Sequence, residues 1–199
     1  MSDALPLAKA QAIIRAAHRA IGLGLPLNRF ITIHWTRAGI SDDRAAWATG
    51  RLVKLASDWA ARQGTRIAWA WVRENDDGDG SKGSHVHILL HCPDTLPIGR
   101  KWPGWLKRIT GRPYRRGTIK SERIGGSLTA HASTPAHYRH NLDAVLAYVC
   151  KGVHSADGVA LGLPRTESGG HVIGKRAAWS QNLGSKSRVL TGRCSNEKR

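Results

Sequence analysis

Residues 66–91 read RIAWAWVRE, then NDDGDGSKGS, then HVHILLH. The outer pieces are short, rich in β-branched, aromatic and aliphatic residues, and bounded by turn formers, so 66–74 and 85–91 are expected strands. The Gly-, Asp- and Asn-rich run at 75–84 is the expected loop that joins them into a hairpin. Side chains alternate along a strand, so His85 and His87 leave one face while Val86, Ile88 and Leu90 leave the other. The aliphatic face is the expected core. Two imidazoles on the opposite face can grip one divalent ion with positions left open for substrate. Glu74 ends the first strand and can face His85 across the ladder, completing a set of two histidines and one carboxylate. Asp76, Asp77 and Asp79 resemble the start of a calcium loop, but the downstream glutamate that such a loop requires is missing.

Outward from the hairpin, residues 30–35 (FITIHW) and 117–124 (GTIKSERI) are expected strands. Residues 8–20 suit a helix ended by Gly22 and Gly24. Ser41 precedes Asp42 and Asp43, an N-cap followed by first-turn acids. Ala45, Ala48, Leu52, Leu55 and Trp59 then recur at helical spacing, so a helix is expected over 42–62, closed by Gly64. A short helix is expected within 99–110, and Pro135 opens another that runs to Lys151. The order is α+β: a central, largely antiparallel sheet of four to five strands flanked by helices. Residues 155–199 are basic, Gly- and Ser-rich and weakly patterned. They are set apart as a C-terminal extension to a domain at 1–154, draped over the core or partly disordered.

Charge indicates the partner. Thirty-one Lys and Arg against 14 Asp and Glu leave a net charge of +17, a field that draws polyanions and makes nucleic acid the expected ligand. Arg100, Lys101, Lys107, Arg108, Arg112, Arg115 and Arg116 flank Trp102, Trp105 and Tyr114. Cationic grooves with aromatic platforms suit single strands; the competing reading is core tryptophans beneath a solvated basic helix. Lys175, Arg176, Lys186, Arg188 and Arg193 in the extension are candidate phosphate clamps; the competing reading is solvated surface charge. No stretch approaches the roughly 18 apolar residues of a membrane span. Cys92, Cys150 and Cys194 form no C-x-x-C pair, which argues against a cysteine zinc knuckle and fits a cytoplasmic location.

A second constellation lies in residues 140–152, HNLDAVLAYVCKG. At about 100° per residue, Leu142, Val145, Leu146 and Val149 share one helical face, and Tyr148 and Lys151 share the adjoining one. A tyrosine attacks poorly while protonated, with a reference pKa of about 10. A metal on the phosphate and a nearby ammonium lower that barrier. GGHVIGKR at 169–176 satisfies the spacing G-x-x-x-x-G-K, but Arg176 stands where Ser or Thr must bind magnesium and no apolar strand precedes it. A nucleotide-binding loop is therefore set aside.

Taken in order, FITIHW, HVHILLH and AYVCKG resemble the motifs of the HUH-type single-tyrosine endonucleases, the replication initiators of rolling-circle elements. The resemblance covers about residues 30–152. It implies an antiparallel sheet flanked by helices and Mg²⁺ or Mn²⁺ held by His85, His87 and Glu74. It also implies attack by Tyr148 to leave a 5′-phosphotyrosine and a 3′-OH, with Lys151 assisting at the phosphate. Single-stranded DNA at an origin or hairpin is the implied substrate, with a host helicase as an allowed partner from a phage or plasmid setting. No second tyrosine lies one turn from Tyr148, so the two-tyrosine subgroup does not fit, and a stand-alone nickase is expected. The alternatives are a single-tyrosine transposase with the same chemistry and a non-catalytic single-stranded nucleic-acid binder.

Overall fold

The computed structural model describes residues 1–76 and 82–184. In chain order the elements are α1 (Leu7–Gly22), β1 (Arg29–His34), α2 (Asp42–Arg62), β2 (Ala68–Asp76), β3 (Gly83–His91), α3 (Trp102–Thr110), β4 (Ile119–Arg123), α4 (Ala130–Ser133), α5 (Pro135–Cys150), α6 (Ser155–Ala160) and β5 (Ala177–Trp179). The five strands form one antiparallel sheet in the order β4-β1-β3-β2-β5. The expected α+β class is the observed one.

The hairpin forms as its sequence suggests, and β3 becomes the central strand. Its alternation divides the molecule. Val86, Ile88 and Leu90 pack with Ile31, Ile33 and Trp71 against Leu52 and Trp59 of α2 and Leu106 of α3. On the other face, Leu89 joins Ala70 and Val72 beneath Ile13 of α1 and Leu142 and Leu146 of α5. Both faces of the sheet are therefore core, where a single aliphatic core face was expected. A central strand covered by helices on both sides buries both sets of side chains, and from Ser84 onward every residue of β3 is buried.

Two expectations need correction. The segment after residue 154 is not merely laid over a finished domain: β5 adds the fifth strand by pairing Ala70 with Trp179 and Val72 with Ala177. Val172 also bridges Ser2. Ser41 sits at the N-cap of α2, but its side chain makes no capping bond. Asp42, expected only to complement the helix dipole, is also a partly buried hub. It pairs with the Arg73 guanidinium, accepts a 2.6 Å hydrogen bond from the Ser84 hydroxyl and accepts another of 2.6 Å from the Ile173 N–H. Arg73 is fully buried and also donates to the carbonyls of Ile173 and Lys175. This network ties the C-terminal segment to α2 and the hairpin. Asp77 and Asp79, Lys186, Arg188 and Arg193 lie outside the described residues.

Candidate metal centre and its tyrosine

The β2–β3 register sets Glu74 opposite His85 and Val72 opposite His87. The β1–β3 register sets His34 opposite His85 and Thr32 opposite His87. Residues facing each other across a ladder share a side of the sheet, so two histidines, the carboxylate, His34 and Thr32 gather on one surface. Glu74 Oε2 lies 3.3 Å from His85 Nε2 and 3.8 Å from His87 Nε2. Among the described residues this is the one cluster whose ligand atoms could hold a metal ion, all within 4.8 Å of one another.

The surroundings orient the donors. The Nδ1 of His85 donates to the Gly83 carbonyl at 2.8 Å, so in the neutral ring the Nε2 lone pair is left beside Glu74. The Nδ1 of His87 hydrogen-bonds the Thr32 hydroxyl at 3.0 Å. Fixing one imidazole nitrogen in this way is how proteins commit the other to a metal. The Nε2 of His87 and Oε1 of Glu74 are buried and have no hydrogen-bond partner. Buried polar atoms without partners are uncommon, and here two of them sit in a set of two nitrogens and a carboxylate. That set fits a divalent cation, with positions left for further ligands.

Electrostatics favour the ligating forms. Burial would raise the Glu74 carboxyl, but the polar His85 and His87 side chains packed against it and the Lys151 ammonium outweigh that and hold the group far below the usual carboxylate range. Burial lowers the pKa of His87, against the opposing pull of Glu74, and so favours the neutral ring. Burial would lower Lys151 as well, yet the Glu74 and Glu167 carboxylates together raise it, keeping the ammonium charged.

The tyrosine reaches this centre from α5. Leu142, Leu146 and Val149 anchor the helix in the core, and the half-buried Tyr148 ring meets His87 edge-on, with centroids 5.2 Å apart. Phe30 stacks on His87 at 5.4 Å and contacts Tyr148 at 5.9 Å. The Lys151 Nζ lies 5.2 Å from the Tyr148 ring centre and 3.1 Å from Glu74 Oε2. Tyr138, on the same helix, differs in kind: it is buried, and its hydroxyl donates to the Leu27 carbonyl at 2.9 Å. Of the two, only Tyr148 lines an open depression of about 360 Å³, with His34, His85, His87, Lys82 and Lys120.

The structure thus brings His85, His87, Glu74, Tyr148 and Lys151 together. It does not bring the expected nucleic-acid residues of 100–116 there. Trp102 is buried and Trp105 packs partly buried beside it, both in the core under α2 and α3, on the sheet face opposite the histidines. Trp102 therefore cannot serve as a platform for bases. Arg100, Lys101, Lys107 and Arg108 are exposed around that helix, and Lys101 covers the Trp59 ring. Arg115 and Arg116 are exposed in the turn before β4. Arg176, expected as a phosphate clamp, is buried and donates to the carbonyls of Ser2, Gly169 and Gly170. Its place is structural. Lys175 is exposed, but in a different depression beside Lys54, Trp69 and Trp179.

The cations at the mouth of the site are others. Lys82 and Lys120 line it, and Arg37 lines the adjoining hollow with His34, Lys82 and Gly117. Lys82 stands three residues before His85, and Lys120 lies in the strand expected at 117–124, so both were visible as basic residues near recognised elements. His34 is the last residue of β1, and its ring lies 5.6 Å from that of His85.

No family model, curated protein or solved structure matches the chain. Among the described residues no helix is long and apolar enough to cross a membrane.

Proposed function

We propose that this chain is a metal-dependent endonuclease that nicks and rejoins single-stranded DNA through Tyr148, in the manner of a rolling-circle replication initiator. One observation carries the reading: the Tyr148 ring rests on His87, whose Nε2 is a buried nitrogen with no hydrogen-bond partner.

In this reading the Tyr148 oxygen attacks the scissile phosphorus and loses its proton. The bond to the 3′ oxygen breaks and that oxygen takes up a proton in place of the one the phenol released, leaving a 5′-phosphotyrosine and a free 3′-OH. Glu74, His85 and His87 would hold an Mn²⁺ or Mg²⁺, which when bound would supply Lewis-acid polarisation of a phosphate. Two imidazoles in the donor set favour Mn²⁺, because Mg²⁺ prefers oxygen ligands. Thr32 and Gly83 engage the Nδ1 atoms of His87 and His85 and leave both Nε2 atoms beside Glu74. Lys151 offers its charge to the developing negative oxygens, and Lys82 and Lys120 attract the backbone of the strand.

The test is incubation of the full chain with Mn²⁺ and a pool of single-stranded oligonucleotides, resolved on a denaturing gel. A covalent protein–DNA adduct is expected, lost in Tyr148→Phe and in the presence of chelator. An adduct that persists in Tyr148→Phe removes the tyrosine from the role. Binding without any cleavage, indifferent to chelator, leaves a nucleic-acid binder instead.

A further inference from the structure

We propose that Glu167 is a positioning residue, which draws the Lys151 ammonium away from the Glu74 oxygen that a metal ion must use. The proposal rests on the metal-centre reading and adds how that centre is loaded.

Glu74 Oε2 is contested. It lies 3.1 Å from Lys151 Nζ and 3.3 Å from His85 Nε2. A divalent ion bound by His85 and His87 needs the same carboxylate, and an ammonium at that distance both competes for it and repels the ion. Among the described residues Lys151 has one other acidic partner: Glu167 Oε2, 3.0 Å away. With a second carboxylate already in contact, the ammonium can release Glu74 and remain paired.

Glu167 is held in place for this. Its N–H donates to the Lys151 carbonyl at 2.9 Å, so the two residues are tied through their backbones as well as their side chains. Arg165 Nε lies 3.2 Å from Oε1 and leaves Oε2 for Lys151. Two residues on, the Gly169 carbonyl accepts from the Asn75 N–H at 3.0 Å. A Cβ on Gly169 would come within 3.7 Å of Glu74 Cγ, so this segment packs directly on the liganding residue. The Glu167 side chain is 42% exposed, which suits a counter-ion better than a ligand. It belongs to the stretch expected to be an appendage, where nothing in the sequence singled it out.

The test is calorimetric titration of Mn²⁺ into the full chain as wild type, Glu167→Gln, Lys151→Met and the double variant. Gln preserves the backbone bond and the side-chain shape but removes the charge. Glu167→Gln is expected to weaken Mn²⁺ binding roughly three- to tenfold, the scale of a partly screened charge close to the site. Its thermal midpoint in chelator should stay at the wild-type value, and Glu167→Asp should restore part of the affinity. Lys151→Met should bind Mn²⁺ more tightly than wild type, and adding Glu167→Gln to it should change nothing further. Unchanged affinity in Glu167→Gln overturns the proposal. So does an equal loss with Lys151 absent, which would mean that Glu167 acts on the ion directly. Failure of wild type to bind Mn²⁺ overturns the metal centre and this proposal with it. Glu167-dependent binding in a chain that cleaves nothing removes only the nickase.

Discussion

Glu74 faces His85 across the β2–β3 ladder, with Oε2 3.3 Å from Nε2. Ten residues separate them in sequence, and the ladder sets their separation in space. This relationship makes a carboxylate and two imidazoles into one ligand set, and most of the expected behaviour follows from it.

Metal should stabilise the chain in proportion to its occupancy. A ligand at about 100 times its dissociation constant adds about 2.7 kcal/mol to the folded state. Mn²⁺ is expected to raise the thermal midpoint of the wild type and to leave that of His85→Ala with His87→Ala unmoved. A matching rise in the double variant would place the ion elsewhere.

Thr32→Val keeps shape but removes the hydroxyl at 3.0 Å from His87 Nδ1. Loss of an orienting partner of this kind costs roughly 10- to 100-fold in metal affinity. Titration with Mn²⁺ should show that loss without a change in circular dichroism; wild-type affinity would mean that the Phe30 stack alone fixes the ring.

Asp42 forms an ion pair with the fully buried Arg73 and also gathers Ser84 and Ile173. Removing one partner of such a pair strands the other and costs about 3–5 kcal/mol. Asp42→Ala is therefore expected to be strongly destabilised in urea, with faster amide exchange at Arg73 and Ile173. A cost under about 1 kcal/mol would show that water replaces the carboxylate freely.

Stability of the metal-free chain should fall as pH drops from 7.5 to 5. Burial depresses the pKa of His34, His87 and His91 in the folded state, so the unfolded chain binds more protons below its ordinary histidine value of about 6.5. Their contribution is present above that value and is lost as pH falls through it. Glu74, depressed as a carboxylate, acts in the same direction at lower pH. Urea midpoints that are flat or rising toward pH 5 would contradict the burial of these rings.

Single-strand affinity should depend on the mouth of the site and not on α3. Lys82→Glu and Lys120→Glu are expected to weaken oligonucleotide binding and to lower the salt dependence, by about 0.7 in log–log slope for each phosphate that is no longer neutralised. Lys107→Glu and Arg108→Glu should change binding much less. The reverse ranking would move the DNA to the opposite face of the sheet.

Much of this architecture was legible in the residues. The alternation in HVHILLH fixed which side chains share a face, and the 3.6-residue spacing of Ala45, Leu52 and Trp59 marked α2 to its observed ends. The strand β5 was not legible. Three residues, Ala177–Trp179, carry too little pattern, and their state is decided by pairing with β2 rather than by their own preference. Trp102 and Trp105 misled because a Trp beside Lys and Arg looks the same whether its ring faces solvent or core; only the placement of α3 over α2 decides. Arg176 misled for a related reason: guanidinium groups bind backbone carbonyls as readily as phosphates. The pairing of Glu74 with His85 was readable as a hairpin consequence, whereas the contact of Lys151 with Glu167 depends on a return of the chain that no local signal encodes.

His85 and His87 stand on the middle strand of five, laced to a neighbour on either side. Their spacing is consequently as stiff as the sheet itself, and neither ring can drift to suit an ion of different radius. Were an ion to bind there, adjustment would fall to the ligand with the most rotatable bonds, the Glu74 carboxylate, and cations would be told apart by how far that single arm had to reach.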